Sequence, residues 1–180
     1  MKRDTVILLA LLVLLLLTGG GIFVYERFKS RKDFLDRIHP DAKRLQALTG
    51  IDPLVTLTQA AHESNFGNSE LSAKYHNLFG IKAGSSWKGP TADLLTHEEV
   101  GGKQIPMRDR FRAYPSFYES LQDWAAFLAT RYPQAYDAAK RGDLAGFGEG
   151  LKHGKYGAYA TDSQYASKIL SIGRIVEGVA

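Results

Sequence analysis

Glu63 is the residue whose type and setting most directly suggest chemistry. Asp52-Pro53 predicts the start of a helix, and the apolar residues that follow recur at helical spacing, so one side packs inward. Glu63 falls in the last turn of this helix, before Gly67, where the helix dipole disfavours negative charge. Such a position raises the pKa of a carboxyl, as a general acid requires. From its position alone, a solvated surface glutamate is the simpler interpretation.

Three short motifs surround and follow this glutamate. They are A-x-E-S-x-F-G-x-S-x-L over 61–71, N-L-F-G-I-K over 77–82 and W-K-G over 87–89. Together they resemble the family 73 glucosaminidases, which are peptidoglycan hydrolases, and the resemblance covers about residues 41–176. His62 departs from the pattern, since the family more often carries an apolar residue there, and it is placed to shift the pKa of Glu63.

The resemblance implies roles for specific side chains. Glu63 would be the catalytic acid, and a second glutamate would come from His97-Glu98-Glu99. The Y-A-T-D-x-x-Y-A-x-K-I pattern that begins at Tyr159 would place that tyrosine in the catalytic cleft, although a purely structural tyrosine fits equally. The resemblance also leaves room for substrate assistance, with the substrate's N-acetyl group as nucleophile. The aromatic residues that we expect to line a sugar cleft, each also compatible with the core, are Phe79, Trp87, Tyr114 and Tyr159.

Residues 91–113 change from helical to alternating polarity, which predicts one β-hairpin. If Gly101-Gly102 is a two-residue turn, Val100 pairs with Lys103 and the register follows outward. Glu98 then shares the more apolar face, which is expected to turn toward the cleft. Glu99 shares the polar face, because successive strand residues point in opposite directions. We therefore predict that Glu98 is the second catalytic carboxylate.

The remaining patterns predict short helices. One is expected to start at His39-Pro40-Asp41 and one at Ser116, with Trp124 in the core, whereas glycine-rich 143–157 is expected to be a mobile loop with one helical turn. These patterns predict a mostly α (α+β) fold with one small β-hairpin lobe, and the family resemblance implies that it is a lysozyme-like glucosaminidase domain over 41–180. A charged connector over 26–40 precedes it.

The N-terminal segment predicts a membrane anchor. Residues 5–25 carry no charge, and about 20 apolar residues suffice to cross a bilayer as a helix. A cleaved signal peptide is the alternative, because Gly19-Gly20-Gly21 offers small residues, but the apolar run resumes afterwards. We expect a single-pass protein with its domain facing the cell wall or periplasm. A bacteriophage virion membrane or secretion after cleavage remain the alternatives, and basic residues on both sides leave the orientation open.

Composition limits the classes of binding partner and cofactor that we expect. A formal charge of +4 favours an acidic partner, and 44% apolar residues support a proper core. The basic residues do not alternate with aromatics as a nucleic-acid groove would require, so we expect no nucleic-acid partner. There is no cysteine, and the five histidines are dispersed without ligand spacing, so we expect neither a metal nor another cofactor.

The function that the family resemblance implies is hydrolysis of the peptidoglycan glycan backbone by general acid catalysis, and residues 5–25 add the lipid bilayer as an expected second partner. A lytic transglycosylase shares the E-S helix and is the nearest alternative. A non-catalytic, membrane-anchored glycan-binding module or scaffold is the other, although the intact Glu63 and a hairpin glutamate argue against it.

Overall fold

A computed structural model describes residues 15–18, 21–24, 28–100, 103–160 and 162–179. Two short strands, β1 (Leu15–Thr18) and β2 (Gly21–Val24), pair antiparallel within the predicted membrane segment. The remainder of residues 5–25 lies outside the described ranges, so the membrane anchor stays a prediction. In the described ranges, no helix combines the length and the apolar character that crossing a bilayer requires.

The first helix, α1, runs over Arg31–Thr49 and contains Pro40. The prediction that a helix starts at His39 is therefore wrong. Ser30 caps the helix by accepting a hydrogen bond from the Asp33 N–H, and the added turns bury Phe34 and other apolar side chains in the core. A proline inside a helix costs about 3 kcal/mol, and burying two or three large apolar side chains outweighs that cost. Part of the predicted connector thus contributes to the core.

Six further helices complete the helical body in the described ranges. They are α2 (Pro53–Ser64), α3 (Glu70–Tyr75), α4 (Phe117–Arg131), α5 (Pro133–Lys140), α6 (Leu144–Gly150) and α7 (Tyr165–Val179). The Trp124 indole on α4 is fully buried, as predicted. Helix α2 packs against both α1 and α7, so the helix that carries Glu63 lies inside the bundle.

Helix α6 occupies seven residues of the stretch that was predicted to be a loop with one helical turn, so the helix is longer than predicted. Asp143 caps the helix by accepting a hydrogen bond from the Gly146 N–H at 2.8 Å, and Phe147 is fully buried. The glycines are unfavourable in a helix and interrupt the apolar periodicity from which a helix is predicted. They are placed where α6 approaches its neighbours: a Cβ on Gly150 would lie 2.5 Å from the backbone nitrogen of Ala135. Close helix packing therefore explains the glycine content.

The predicted hairpin and its register are confirmed. Strands β3 (Thr91–Val100) and β4 (Lys103–Arg112) pair antiparallel, with Val100 opposite Lys103, Glu98 opposite Ile105 and Glu99 opposite Gln104. The turn residues Gly101-Gly102 themselves lie outside the described residues. A mostly helical body with this two-stranded sheet fits the lysozyme-like fold.

The base of the hairpin is attached to the body through the N-L-F-G-I-K segment. The Asn77 side chain donates hydrogen bonds to the carbonyls of Ile81 and Arg112, at 3.0 and 2.8 Å, and accepts from the Ile81 N–H. The Ala83 N–H donates to the Arg110 carbonyl at 2.7 Å, and the Arg112 N–H donates to the Ile81 carbonyl. A buried amide with these partners fixes the hairpin base relative to the helices.

Candidate active site

Glu63 lies at the end of α2, one residue before the helix stops at Ser64. Asn65, Phe66 and Gly67 follow with φ of 51°, 52° and 75°, so the chain leaves the helix through consecutive left-handed residues. The Ser64 hydroxyl holds this turn, since it donates to the Ala60 carbonyl and accepts from the Gly67 N–H at 2.7 Å. Left-handed conformations outside glycine are costly and often occur at functional sites. The helix thus ends abruptly beside the candidate acid.

Two side chains hold the half-buried Glu63 carboxyl. The Tyr165 hydroxyl from α7 donates to Oε1, and Gln59 Nε2 donates to the same oxygen at 3.2 Å. Gln59 Nε2 also contacts the Tyr165 hydroxyl oxygen at 2.6 Å, so the three groups form one cluster. Within the described part of the chain, both hydrogen bonds to this carboxyl go to Oε1. In a neutral carboxyl that oxygen is then the acceptor, and Oε2 carries the proton.

Burial determines the protonation of this cluster. Desolvation raises the pKa of Glu63, because it disfavours the charged form, and the hydrogen bond from Tyr165 partly opposes the rise. The pKa of Tyr165 is also raised, by burial and then by the Glu63 charge, so its hydroxyl remains a donor. His62 packs edge-on against the Tyr165 ring, with centroids 5.2 Å apart, and burial and Lys168 lower its pKa. The arrangement favours a neutral Glu63 that can donate a proton.

Glu63 opens into a cleft of 480 Å³. Tyr159 and Phe79 both line it, and the Tyr159 hydroxyl donates to the Phe79 carbonyl at 3.3 Å. The Phe79 ring itself stacks on Trp124, with centroids 4.7 Å apart and planes 8° from parallel, so most of it belongs to the core. Tyr159 is only partly buried, and burial followed by the Glu63 charge raises its pKa. Of the four predicted aromatics, the structure brings these two together with the acid.

Trp87 and Tyr114 instead line a separate hollow of 470 Å³. Trp87 Nε1 donates to the Pro90 carbonyl at 2.9 Å, and the ring packs edge-on against Tyr114. The Tyr114 hydroxyl donates to Asp123 at 2.6 Å; burial and then Asp123 raise its pKa. Arg112 lies between the two cavities, since it lines the Glu63 cleft while its guanidinium covers the Trp87 ring at 4.7 Å.

Glu98 is placed by its backbone register on the face of the hairpin that also carries Ala92 and Phe111. Those two residues are buried, whereas Asp93, Leu95 and Arg110 on the opposite face are exposed. The face of Glu98 is therefore the one that packs against the body at the hairpin base. Glu99 is on the face of Asp93, Leu95 and Arg110, and nearer the turn Met107 on the Glu98 face is exposed as well.

Sequence reasoning missed two residues of the acid cluster. Gln59 had a signal, because it precedes Glu63 by one helical turn and therefore shares its face. Tyr165 is the second tyrosine of the pattern that begins at Tyr159, but nothing local connects it to a glutamate 102 positions earlier. Arg131 and Tyr132, which also line the cleft, were not singled out. Among the described residues, no group of three acidic, histidine or cysteine side chains is arranged to hold a metal ion.

Comparison with known proteins agrees with this geometry. The profile of the glucosaminidase family, described as mannosyl-glycoprotein endo-beta-N-acetylglucosaminidase, matches residues 39–176. The peptidoglycan hydrolase FlgJ of Pseudomonas aeruginosa is 37% identical over 153 residues, which are 82% of this chain and 37% of that protein. FlgJ of Salmonella typhimurium is 35% identical over 145 residues, 78% of this chain and 45% of that protein. The chain thus spans less than half the length of these relatives.

A solved structure supports the same assignment. A mutant of the peptidoglycan hydrolase from Sphingomonas sp. A1 superposes with a TM-score of 0.68 at 30% identity, and the match covers 82% of this chain and 97% of that one. The matched family profile covers most of the described helical body and the whole hairpin, including Glu63, Glu98 and Tyr159. The chain therefore belongs to the glucosaminidase family of glycoside hydrolases.

Proposed function

We propose that this chain hydrolyses the glycan backbone of peptidoglycan between N-acetylglucosamine and N-acetylmuramic acid, with Glu63 as the general acid. The observation that carries the proposal is the Glu63 carboxyl, half-buried at the cleft and bonded through Oε1 to Tyr165 and Gln59. Family membership and the relatives named peptidoglycan hydrolase support the substrate.

The proposed reaction begins with the proton on Glu63 Oε2. It passes to the glycosidic oxygen as the bond from that oxygen to the anomeric carbon breaks, and the sugar that keeps the anomeric carbon acquires oxocarbenium character. Water then adds to that carbon and gives up a proton. Glu98 is the proposed acceptor, or the charge that stabilises the oxocarbenium, because its strand face is the one that packs toward the body. Attack by the substrate's own N-acetyl oxygen would make Glu98 an orienting group instead.

Analysis of the digestion products tests the proposal. Purified peptidoglycan digested by the protein is expected to give fragments with N-acetylglucosamine at the reducing end, which mass spectrometry after borohydride reduction identifies. Reducing N-acetylmuramic acid would mean that the other glycosidic bond is cut. Anhydromuramic ends would identify a lytic transglycosylase, and binding to the polymer without any product would identify a glycan-binding module.

Tyr165→Phe tests the hydrogen bond to the acid. Since that bond lowers the pKa of Glu63, its loss is expected to raise this pKa and move the alkaline limb of the pH–rate profile to higher pH. The plateau rate should fall by about tenfold, because a net hydrogen bond of ~1.4 kcal/mol no longer orients the carboxyl. The other charged or titratable groups that line the cleft with Glu63 remain in place: Lys82, Arg112, Arg131, Tyr132 and Tyr159.

Tyr136→Phe is the matched control for this experiment. The Tyr136 hydroxyl donates to the Thr49 carbonyl at 3.2 Å, away from the cleft, so its removal costs a comparable hydrogen bond without contact to Glu63. The control is expected to keep the wild-type pH profile. If the alkaline limb of Tyr165→Phe stays in place or moves to lower pH, the assignment of Tyr165 as a positioning residue is wrong.

A further inference from the structure

Three basic side chains line the Glu63 cleft, and two of them are neutralised locally. Lys82 forms an ion pair with Asp109 at 2.6 Å, and Arg112 pairs with Asp123 at 2.7 Å. Arg131, the last residue of α4, forms no ion pair within the described part of the chain. Asp109 and Asp123 therefore compensate the charges of Lys82 and Arg112 but not the positive charge of Arg131 on the cleft wall.

Aromatic rings hold the Arg131 guanidinium in place. It lies over the Phe127 ring at 5.0 Å and over the Tyr156 ring at 5.2 Å. Tyr156 is 72% exposed, and the Lys155 ammonium lies 5.7 Å from its ring centroid, which adds a second cation beside the first. A guanidinium stacked on aromatic rings keeps its N–H edge available for a planar anion.

The loop that carries Tyr156 is fixed to the end of α4. The Lys155 N–H donates to the Arg131 carbonyl at 2.8 Å. Gly154 allows this close approach, because a Cβ there would lie 2.2 Å from a ring carbon of Tyr132 and from the Gly157 carbonyl oxygen. The two cations and the exposed ring thus form a defined surface at the cleft, which we name the basic ledge: Arg131, Lys155 and Tyr156.

A basic residue at a helix C-terminus also interacts favourably with the helix dipole, and this is the structural explanation for Arg131. That explanation requires neither two aromatic contacts nor a position on the wall of the cleft. It would be satisfied equally by a flexible lysine directed into solvent. The combination of stacking, charge and location on the cleft wall is what a binding site for an anionic group would have.

We propose that the basic ledge binds a carboxylate of the peptide that peptidoglycan carries on its muramic acid residues, so that peptide-bearing strands are the preferred substrate. The inference rests on the proposed function and specifies its substrate. The sugar ring hydroxyls and N-acetyl groups of the glycan are neutral. The attached peptides, in contrast, carry carboxylates at their C-termini and on their side groups. A carboxylate matches the bidentate geometry of a guanidinium, and the exposed Tyr156 ring offers apolar contact to the peptide.

The test compares two forms of one substrate. Sonicated peptidoglycan free of anionic secondary polymers is used as it is, or after its carboxylates have been converted to amides with carbodiimide and excess ammonia. The kcat/KM of the wild-type protein is expected to fall about tenfold on the amidated polymer. Arg131→Gln should show the same loss on the native polymer and little further loss on the amidated one, because each change removes one side of the same contact.

Two variants serve as controls. Arg174→Gln removes the same charge from an exposed site on α7 that does not line the cleft, and it should keep the wild-type response to amidation. Arg131→Lys keeps the charge at the helix end but loses the planar stacking, so intermediate activity on the native polymer is expected. If Arg131 were only structural, Arg131→Gln would instead lower the Tm and reduce activity equally on both substrates.

The outcomes separate this inference from the proposed function. Wild-type protein that hydrolyses both polymers equally, or Arg131→Gln that loses activity equally on both, would overturn the basic ledge and leave the hydrolase intact. Wild-type protein that hydrolyses neither polymer would overturn the proposed function and this inference with it.

Discussion

Glu63→Gln is expected to fold normally and to lose ~10²–10⁴-fold in the rate of peptidoglycan hydrolysis, the usual contribution of a general acid. The glutamine keeps the shape of the side chain, and its carbonyl oxygen can still accept the hydrogen bond from Tyr165. What disappears is the proton on Oε2. Release of soluble fragments from purified walls measures the loss, and circular dichroism with thermal melting verifies the fold.

The matched control is Glu70→Gln, the same change in the first turn of α3. Glu70 forms an exposed ion pair with Lys74 at 2.8 Å and does not line the cleft, so activity should stay at the wild-type level. Near-full activity in well-folded Glu63→Gln would remove this residue from the mechanism, whatever the family resemblance.

Glu98→Gln is expected to reduce hydrolysis by ~10²-fold, whereas Glu99→Gln should leave it within about twofold. The two residues are adjacent and carry the same charge, so each is the natural control for the other. The physical reason is the pairing: Glu98 lies opposite Ile105 on the face that carries buried Ala92 and Phe111, and Glu99 lies on the opposite, exposed face.

Initial rates on the same purified polymer decide between the two glutamates. Equal losses would mean that the hairpin contributes only general negative charge. A larger loss in Glu99→Gln would mean that the functional face of the strand is the outer one. Small losses in both would favour attack by the substrate's own N-acetyl group, with no second carboxylate required.

The hairpin could be predicted in detail because its rules are local. Alternating polarity and a two-glycine turn determine which residues oppose each other, and the ladder from Thr91–Arg112 to Val100–Lys103 follows that expectation. The start of helix α1 could not be predicted in this way, because Pro40 is a strong local signal for a helix start. Burial of Phe34 and its neighbours in the tertiary core overrides that signal.

The candidate site likewise contains residues that local sequence predicts and residues that only tertiary contacts bring together. Glu63 and its helix follow from nearby residues, together with a family resemblance. Tyr165 reaches it from α7, and no sequence periodicity reports such a contact. Trp87 and Tyr114 show the converse, since aromatic character predicted a place beside the acid, whereas Arg112 separates them from that cleft. Which side of the partly buried Arg112–Asp123 ion pair a ring packs on depends on the whole fold.

The attachment of the hairpin at its base makes β3 and β4 a lever arm. Glu98 lies about six residues beyond Ala92, or ~20 Å at ~3.4 Å per residue. A rotation of about 10° at the base would then move it by ~3.5 Å, which is slightly more than the ~3 Å width of the range of carboxyl separations typical of inverting glycosidases. The angle is held by Asn77 and by the pairing of Ile81 and Ala83 with β4. The distance between Glu63 and Glu98 is therefore expected to depend on hydrogen bonds at the hairpin base, several residues away from Glu98 itself.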